Sequence, residues 1–132
     1  MSADSARTAV EELFRSTNTI TGNEWEAALL STTRNISAPL AKKLLSQMGL
    51  AEDASNPIEL FENACGVGVV APLVQEMVKP TILKQSKILC GDTAEPMLEL
   101  AKKRLQSEGW VNTEVKIVDA QVWLYLSCLH LS

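Results

Sequence analysis

Residues 60–72 read LFENACGVGVVAP. An apolar run ends in the acid Glu62, and small residues with two glycines come next. If the run is a strand and the next segment a helix, this turn is where a ligand is received. The carboxyl end of a parallel strand and the first N–H groups of the following helix meet there, which favours an anionic or acceptor-rich group. Gly66 lets the backbone approach such a ligand, and Gly68 lets the following helix pack against the strand. Pro72 falls in the first turn or so of that helix, where its missing N–H costs little. Gly66-Val-Gly68-Val-Val-Ala71 matches the dinucleotide pattern G-x-G-x-x-A. The same residues also suit a tight turn in a buried core, so the surroundings must decide.

Downstream, the pattern alternates. Ile58 to Glu62 reads as a short apolar strand and residues 69–78 as a helix. Lys87 to Gly91 is a second strand. Residues 94–107 form a helix with Met97, Leu98, Ala101 and Leu105 on its inner face, stopped by Gly109. The cluster Lys102, Lys103 and Arg104 on that helix reads as a solvated face. Thr113 to Val118 is a third strand. Strand-helix-strand-helix-strand at this spacing implies an α/β fold with parallel strands and right-handed crossovers.

Upstream, the chain is helical. Ala6, Ala9, Val10, Leu13 and Phe14 recur at helical spacing, and Thr21-Gly-Asn-Glu24 fits a capping box ahead of Trp25, Ala28 and Leu29. Ser37 is placed to cap a third helix with Pro39 in its first turn and Leu40, Leu44, Leu45 and Met48 on one face. Residues 51–57, AEDASNP, read as a linker. Residues 1–57 are thus a helical layer packed on the alternating strands and helices after Pro57, or a cap over a ligand.

Composition removes other classes. The chain has 132 residues, nearly half of them apolar, enough for one domain with a hydrophobic core. A net charge of −4 argues against nucleic acid as a partner. The N-terminus shows no signal peptide, and the apolar stretches are too short to span a bilayer, so the expectation is a cytoplasmic protein with no membrane partner. Cys65, Cys90 and Cys128 are widely spaced and odd in number, which suggests reduced thiols. With one histidine, His130, neither a zinc site nor a Ser-His-Asp triad is easily assembled, and no metal is expected.

Two distant acids sharpen the reading of the turn. Asp92 ends the second strand, where a carboxylate can accept from both hydroxyls of a ribose. Asp119 ends the third, where it can accept from the exocyclic amine of an adenine. Each acid alone is equally a helix cap or a solvated loop residue. Acids at three strand ends, with glycines after the first, fit a nucleotide-like cofactor better.

Glu62-Asn-Ala-Cys-Gly-Val-Gly68, Gly91-Asp92-Thr-Ala-Glu-Pro-Met97-Leu98 and Val118-Asp119-Ala120 together resemble the N-terminal half of a class I S-adenosylmethionine-dependent methyltransferase. The resemblance covers residues 58–121. Its first motif runs acid-x-Gly-x-Gly-x-Gly; Glu62, Gly66 and Gly68 match it, and Ala64 replaces the first glycine. The NACG-x-G wording is similar to a subgroup of small-molecule and secondary metabolism. The resemblance implies a Rossmann-like fold with S-adenosyl-L-methionine as cofactor and a small organic molecule as methyl acceptor. It implies that Glu62 organises water and the amino group of the cofactor's methionine part. The backbone of Asn63, Ala64, Cys65, Gly66 and Gly68 would line that part and the ribose. Asp92 would hold the ribose hydroxyls, Thr93 would flank the adenine, Asp119 would accept from the adenine amine, and Met97 and Ala120 would belong to the same cofactor site. A fragment of a dinucleotide-dependent oxidoreductase is the alternative that fits the glycines; the helical preface and the Asp119-Ala120 pair fit the methyltransferase better.

The tail after Gln121 reads differently. VWLYLSCLHLS carries no charged residue apart from His130 and is too short for a crossover helix and a parallel strand. Val122 directly succeeds the third motif, and every valine codon begins with GT, as most introns do. The expectation is a truncated product whose tail comes from a retained intron or a shifted frame. The sheet would then have about three strands, with the first strand an exposed edge suited to pairing with a second copy. The catalytic half would be missing, leaving an inactive chain or a non-catalytic module that binds the cofactor or a partner. The catalytic residues stay unassigned; His130 would qualify as a base only within hydrogen-bond reach of the acceptor.

Overall fold

The computed structural model describes Thr8, residues 23–50 and residues 54–121. Apart from Thr8, the helix expected around residues 6–14 lies outside the described residues, as do the Thr21 cap, His130 and the tail from Val122 onward.

The strands form where apolar and β-branched residues cluster: β1 Glu59–Asn63, β2 Lys87–Asp92 and β3 Thr113–Ile117. They make one open sheet in the order β1-β2-β3. Both pairings are parallel, with Glu62 opposite Cys90, Asn63 opposite Gly91, and Cys90 opposite Val115. All three carboxyl ends therefore lie along one edge of the sheet. Among the described residues β1 has a neighbour on one side only, as expected.

The connections are helical. Helix α3 spans Val70–Met77, a single turn α4 spans Pro80–Leu83, and α5 spans Glu95–Glu108. In a parallel pair, side chains in register share a face. Leu60 with Ile88, and Cys90 with Val115, therefore turn the same way, into the core. There they meet Ala71, Val74 and Met77 of α3 and Leu98 and Ala101 of α5. This is the parallel α/β arrangement expected from the alternation, and it fits the Rossmann-like fold that the resemblance implies. Strand and helix limits match the sequence reading to within a residue or two.

Two helical details depart from it. The segment around Ser37 is not a helix start. Helix α1, Asn23–Thr32, runs through one wide π-helical turn, Thr33–Ser37, into α2, Ala38–Gln47. Ser37 has helical dihedrals and its side chain makes no capping bond. Pro39 explains the wide turn. A proline inside a helix lacks the N–H for the usual bond, and its ring presses on the carbonyl four residues back. One extra residue in the turn relieves that pressure, and the Ala38 N–H reaches back to the Thr33 carbonyl instead.

The inner face of α2 also differs. Ala38, Ala41 and Leu45 pack toward the core, and small alanines permit a close approach. Leu40, Leu44 and Met48, expected to line that face with Leu45, are 57–69% exposed.

On α5, Leu98 and Ala101 are buried as expected, while Met97 and Leu105 are half-buried. Leu100 and Arg104 are buried as well, so Arg104 does not belong to a solvated face. Lys102 and Lys103 do. Gly109 ends the helix in the left-handed conformation at φ 65°.

Candidate functional site

The site is built at the carboxyl ends of the three strands. β1 stops at Asn63, and the chain turns through Ala64 to Gly68 into α3. The turn is closed by the Gly68 N–H bonding the Cys65 carbonyl at 2.9 Å. It is stitched to β2 by the Cys65 N–H bonding the Gly91 carbonyl at 3.0 Å. Gly66 has φ 54° and Gly68 φ 88°, backbone that only glycine adopts freely.

Ala64 has φ 55°, the left-handed region, at the place of the motif's missing glycine. A Cβ there costs about 1–2 kcal/mol. Such strain persists where the surroundings over-determine the backbone, as at ligand clamps.

The two motif acids converge on this turn. Glu62 Oε1 accepts the Val69 and Val70 N–H groups at 3.3 and 3.1 Å, serving the otherwise unpaired first donors of α3. Burial raises its pKa above the ordinary carboxylate value, and the N–H bonds from Val70 and Val69 partly oppose that. Asp92 Oδ2 accepts the Gly66 N–H at 2.8 Å, and Oδ1 accepts the Ala94 N–H at 3.0 Å. Asp92 thus joins the end of β2 to the middle of the turn. A carboxylate offers about four acceptor positions, so these two bonds leave room for a ligand's hydroxyls.

The other expected residues fall around this centre. Asn63, Ala64 and Thr93 are exposed, Met97 and Ala120 are half-buried, and Cys65 is buried in the core. Cys65 therefore contributes backbone to the turn while its side chain packs inward. Cys90 lies nearby, its Sγ 3.7 Å from Glu62 Oε2. The adjoining Cys65 thiol, burial and the Glu62 carboxylate push the Cys90 thiol far above its usual value, so it stays protonated. Asp119 is exposed, two residues beyond the end of β3. Its Oδ1 accepts the Gln121 N–H at 3.0 Å, a local capping bond. The Val118 N–H, bonded to the Asp92 carbonyl at 3.1 Å, keeps the Asp119 segment beside the end of β2. Among the described residues there is no cluster of acids, histidines and cysteines able to hold a metal.

Gly68 has a different role from the one expected. A Cβ on Gly68 would stand 2.7 Å from Cη2 of Trp110, so the glycine makes room for that indole rather than for a helix against a strand. Trp110 leads from α5 into β3, and nothing in the local sequence couples it to a turn more than forty residues earlier. Arg104, beside it, is hidden in the cluster Lys102-Lys103-Arg104, and Glu108 four residues on belongs to no motif.

No protein-family model matches the chain. Curated relatives do. Methyltransferase tpcH of Aspergillus fumigatus is 37% identical over 86 residues, covering 65% of this chain and 30% of its own. This chain is a homologue of fungal methyltransferases. Methyltransferase afvD of Aspergillus flavus is 36% identical over 95 residues, 72% of this chain and 37% of its own. The acetylaranotin bis-thiomethyltransferase of Aspergillus terreus is 26% identical over 86 residues, 65% of this chain and 31% of its own. The chain thus spans about a third of the length of the curated relatives it matches. No helix among the described residues is long and apolar enough to cross a membrane.

Proposed function

We propose that this chain binds S-adenosylmethionine at the Glu62–Gly68 turn and serves methyl transfer to a small organic acceptor. The observation that carries the reading is the convergence of Glu62 and Asp92 on the turn. One takes the first N–H groups of α3 and the other takes the Gly66 N–H. A surface cap or a solvated loop acid has no reason to span from β2 to the middle of a glycine turn.

The residues suit the cofactor. A Cβ placed on Gly66 meets nothing within 4 Å, so this stretch of backbone is open to a ligand. Asp92 is held at both oxygens, which fixes the direction of the acceptor positions left for ribose hydroxyls. Asn63, Ala64, Cys65, Gly66 and Gly68 present backbone to the methionine part. Thr93 and Met97 flank the cofactor, and Asp119 with Ala120 meets the adenine. The bound cofactor supplies a methyl group on a sulfonium centre, which is electrophilic without help from the protein. The chain's part is alignment and exclusion of water. In this reading the helical segment 23–47 is part of the cap of the acceptor pocket. A small acceptor of secondary metabolism is favoured by the NACG-x-G wording and by the relative named for acetylaranotin.

Asp92→Ala tests the assignment. Calorimetry with S-adenosylhomocysteine should show affinity at least about tenfold weaker, since a charged group's hydrogen bonds to a ligand contribute about 1.5–3 kcal/mol. Unchanged affinity would mean that the ribose is held elsewhere.

A further inference from the structure

We propose that Arg104 is a positioning residue for the cofactor turn, holding the carbonyls of the two peptide planes around Gly68 whose N–H groups are held by the Cys65 carbonyl and by Glu62. The inference deepens the cofactor reading above and rests on it.

Arg104 lies on α5, thirty-six positions from Gly68. It is 9% exposed, and its guanidinium is almost fully engaged. Nη1 donates to the Val67 carbonyl at 2.9 Å and to the Gly68 carbonyl at 2.6 Å. Nε and Nη2 donate to the two carboxylate oxygens of Glu108 at 2.9 and 3.3 Å. That is four of the five donors a guanidinium has, so Arg104 is spent on the protein and is not a receptor for an outside anion. The Trp110 ring lies beneath, 5.3 Å from the guanidinium carbon, and its Nε1 donates to Glu108 Oε2 at 2.8 Å. Glu108 balances the buried charge, and the ring supplies a flat floor.

The consequence is in the peptide geometry. The plane between Val67 and Gly68 has its carbonyl on Arg104 and its N–H on the Cys65 carbonyl. The plane between Gly68 and Val69 has its carbonyl on Arg104 and its N–H on Glu62. Both planes are pinned at both ends. A glycine flanked by free peptide planes rotates readily, so without Arg104 the Gly68 segment samples other orientations. A turn that is already ordered does not have to be ordered when the ligand arrives, which strengthens binding. Lysine cannot replace this fork fully, because its ammonium is a point donor without two parallel arms.

Two measurements on the full chain test the clamp, using wild type, Arg104→Met and Arg104→Lys, each checked for folding by circular dichroism. In amide hydrogen exchange, Arg104→Met should speed exchange at Gly68 and Val69 by at least about tenfold, with the Val74 amide of α3 unchanged. In calorimetry, Arg104→Met should bind S-adenosylhomocysteine at least about tenfold more weakly, and 5′-methylthioadenosine, which lacks the amino-acid part, less than threefold more weakly. Arg104→Lys should fall between, and it carries the test if the Met variant does not fold. Unchanged exchange at Gly68 and Val69 overturns the clamp, whatever the ligand does. Equal losses for both ligands, or none for either, overturn its role at the methionine end. Faster exchange in Arg104→Met together with a wild type that binds neither ligand overturns the cofactor reading and this role with it, while leaving the clamp as a fact of folding.

Discussion

Glu62 does two jobs that pull its chemistry in opposite directions. It must stay close to the first N–H groups of α3, which favour its charge, and it is buried, which disfavours it. Burial wins, and its pKa lies above the ordinary value of 4.5. The folded state therefore holds the Glu62 proton more tightly than the unfolded chain does. Its contribution to stability is lost as pH rises through the interval between the ordinary and the raised value, and is regained on acidification. Glu62→Gln keeps an acceptor for Val69 and Val70 but cannot titrate. In urea unfolding at several pH values from about 4.5 to 7, wild type should lose stability relative to Glu62→Gln as pH rises. A constant difference would show that Glu62 is not perturbed in the fold. At this scale the sequence was legible where a motif concentrates meaning. Glu62, Gly66 and Asp92 stand at the turn as their spacing implied. Arg104 was not legible, since Lys-Lys-Arg on a helix looks uniformly solvated, and only the tertiary position of the Val67 and Gly68 carbonyls singles out its third member.

Among the elements, the Asn23–Gln47 helix shows how one residue resets a segment. Pro39 looked like an N-terminal proline after a serine cap, a pattern that does start helices. The preceding helix instead continues through the bulge, because widening one turn costs less than abandoning the hydrogen bonds of a whole helix. Pro39→Ala should restore regular bonding and stabilise the chain by about 1–2 kcal/mol, less than the ~3 kcal/mol of an unrelieved proline because the bulge already absorbs the clash. Urea midpoints would measure it, and a destabilised variant would show that the wide turn is needed by the packing of Ala38 and Ala41. The strands and the Val70–Met77 and Glu95–Glu108 helices were legible because hydrophobic period and flanking glycines agree there. The outward stripe of Leu40, Leu44 and Met48 was not, since an apolar period tells which residues share a face but not whether that face is covered.

For the whole molecule, the parallel sheet brings the ends of β1, β2 and β3 to one edge, and the turn, Asp92 and the Asp119 segment with it. Each piece has a local duty as a cap or a stitch. In the proposed function it is their shared location that lets them receive one cofactor. A dinucleotide would use the same glycines, so the discriminating measurement compares ligands on one sample. Calorimetry of the folded chain with S-adenosylhomocysteine and with a nicotinamide dinucleotide tests the central claim most directly. The account predicts saturable heat with the first and none with the second. Heat with the dinucleotide alone, or with neither, would contradict it.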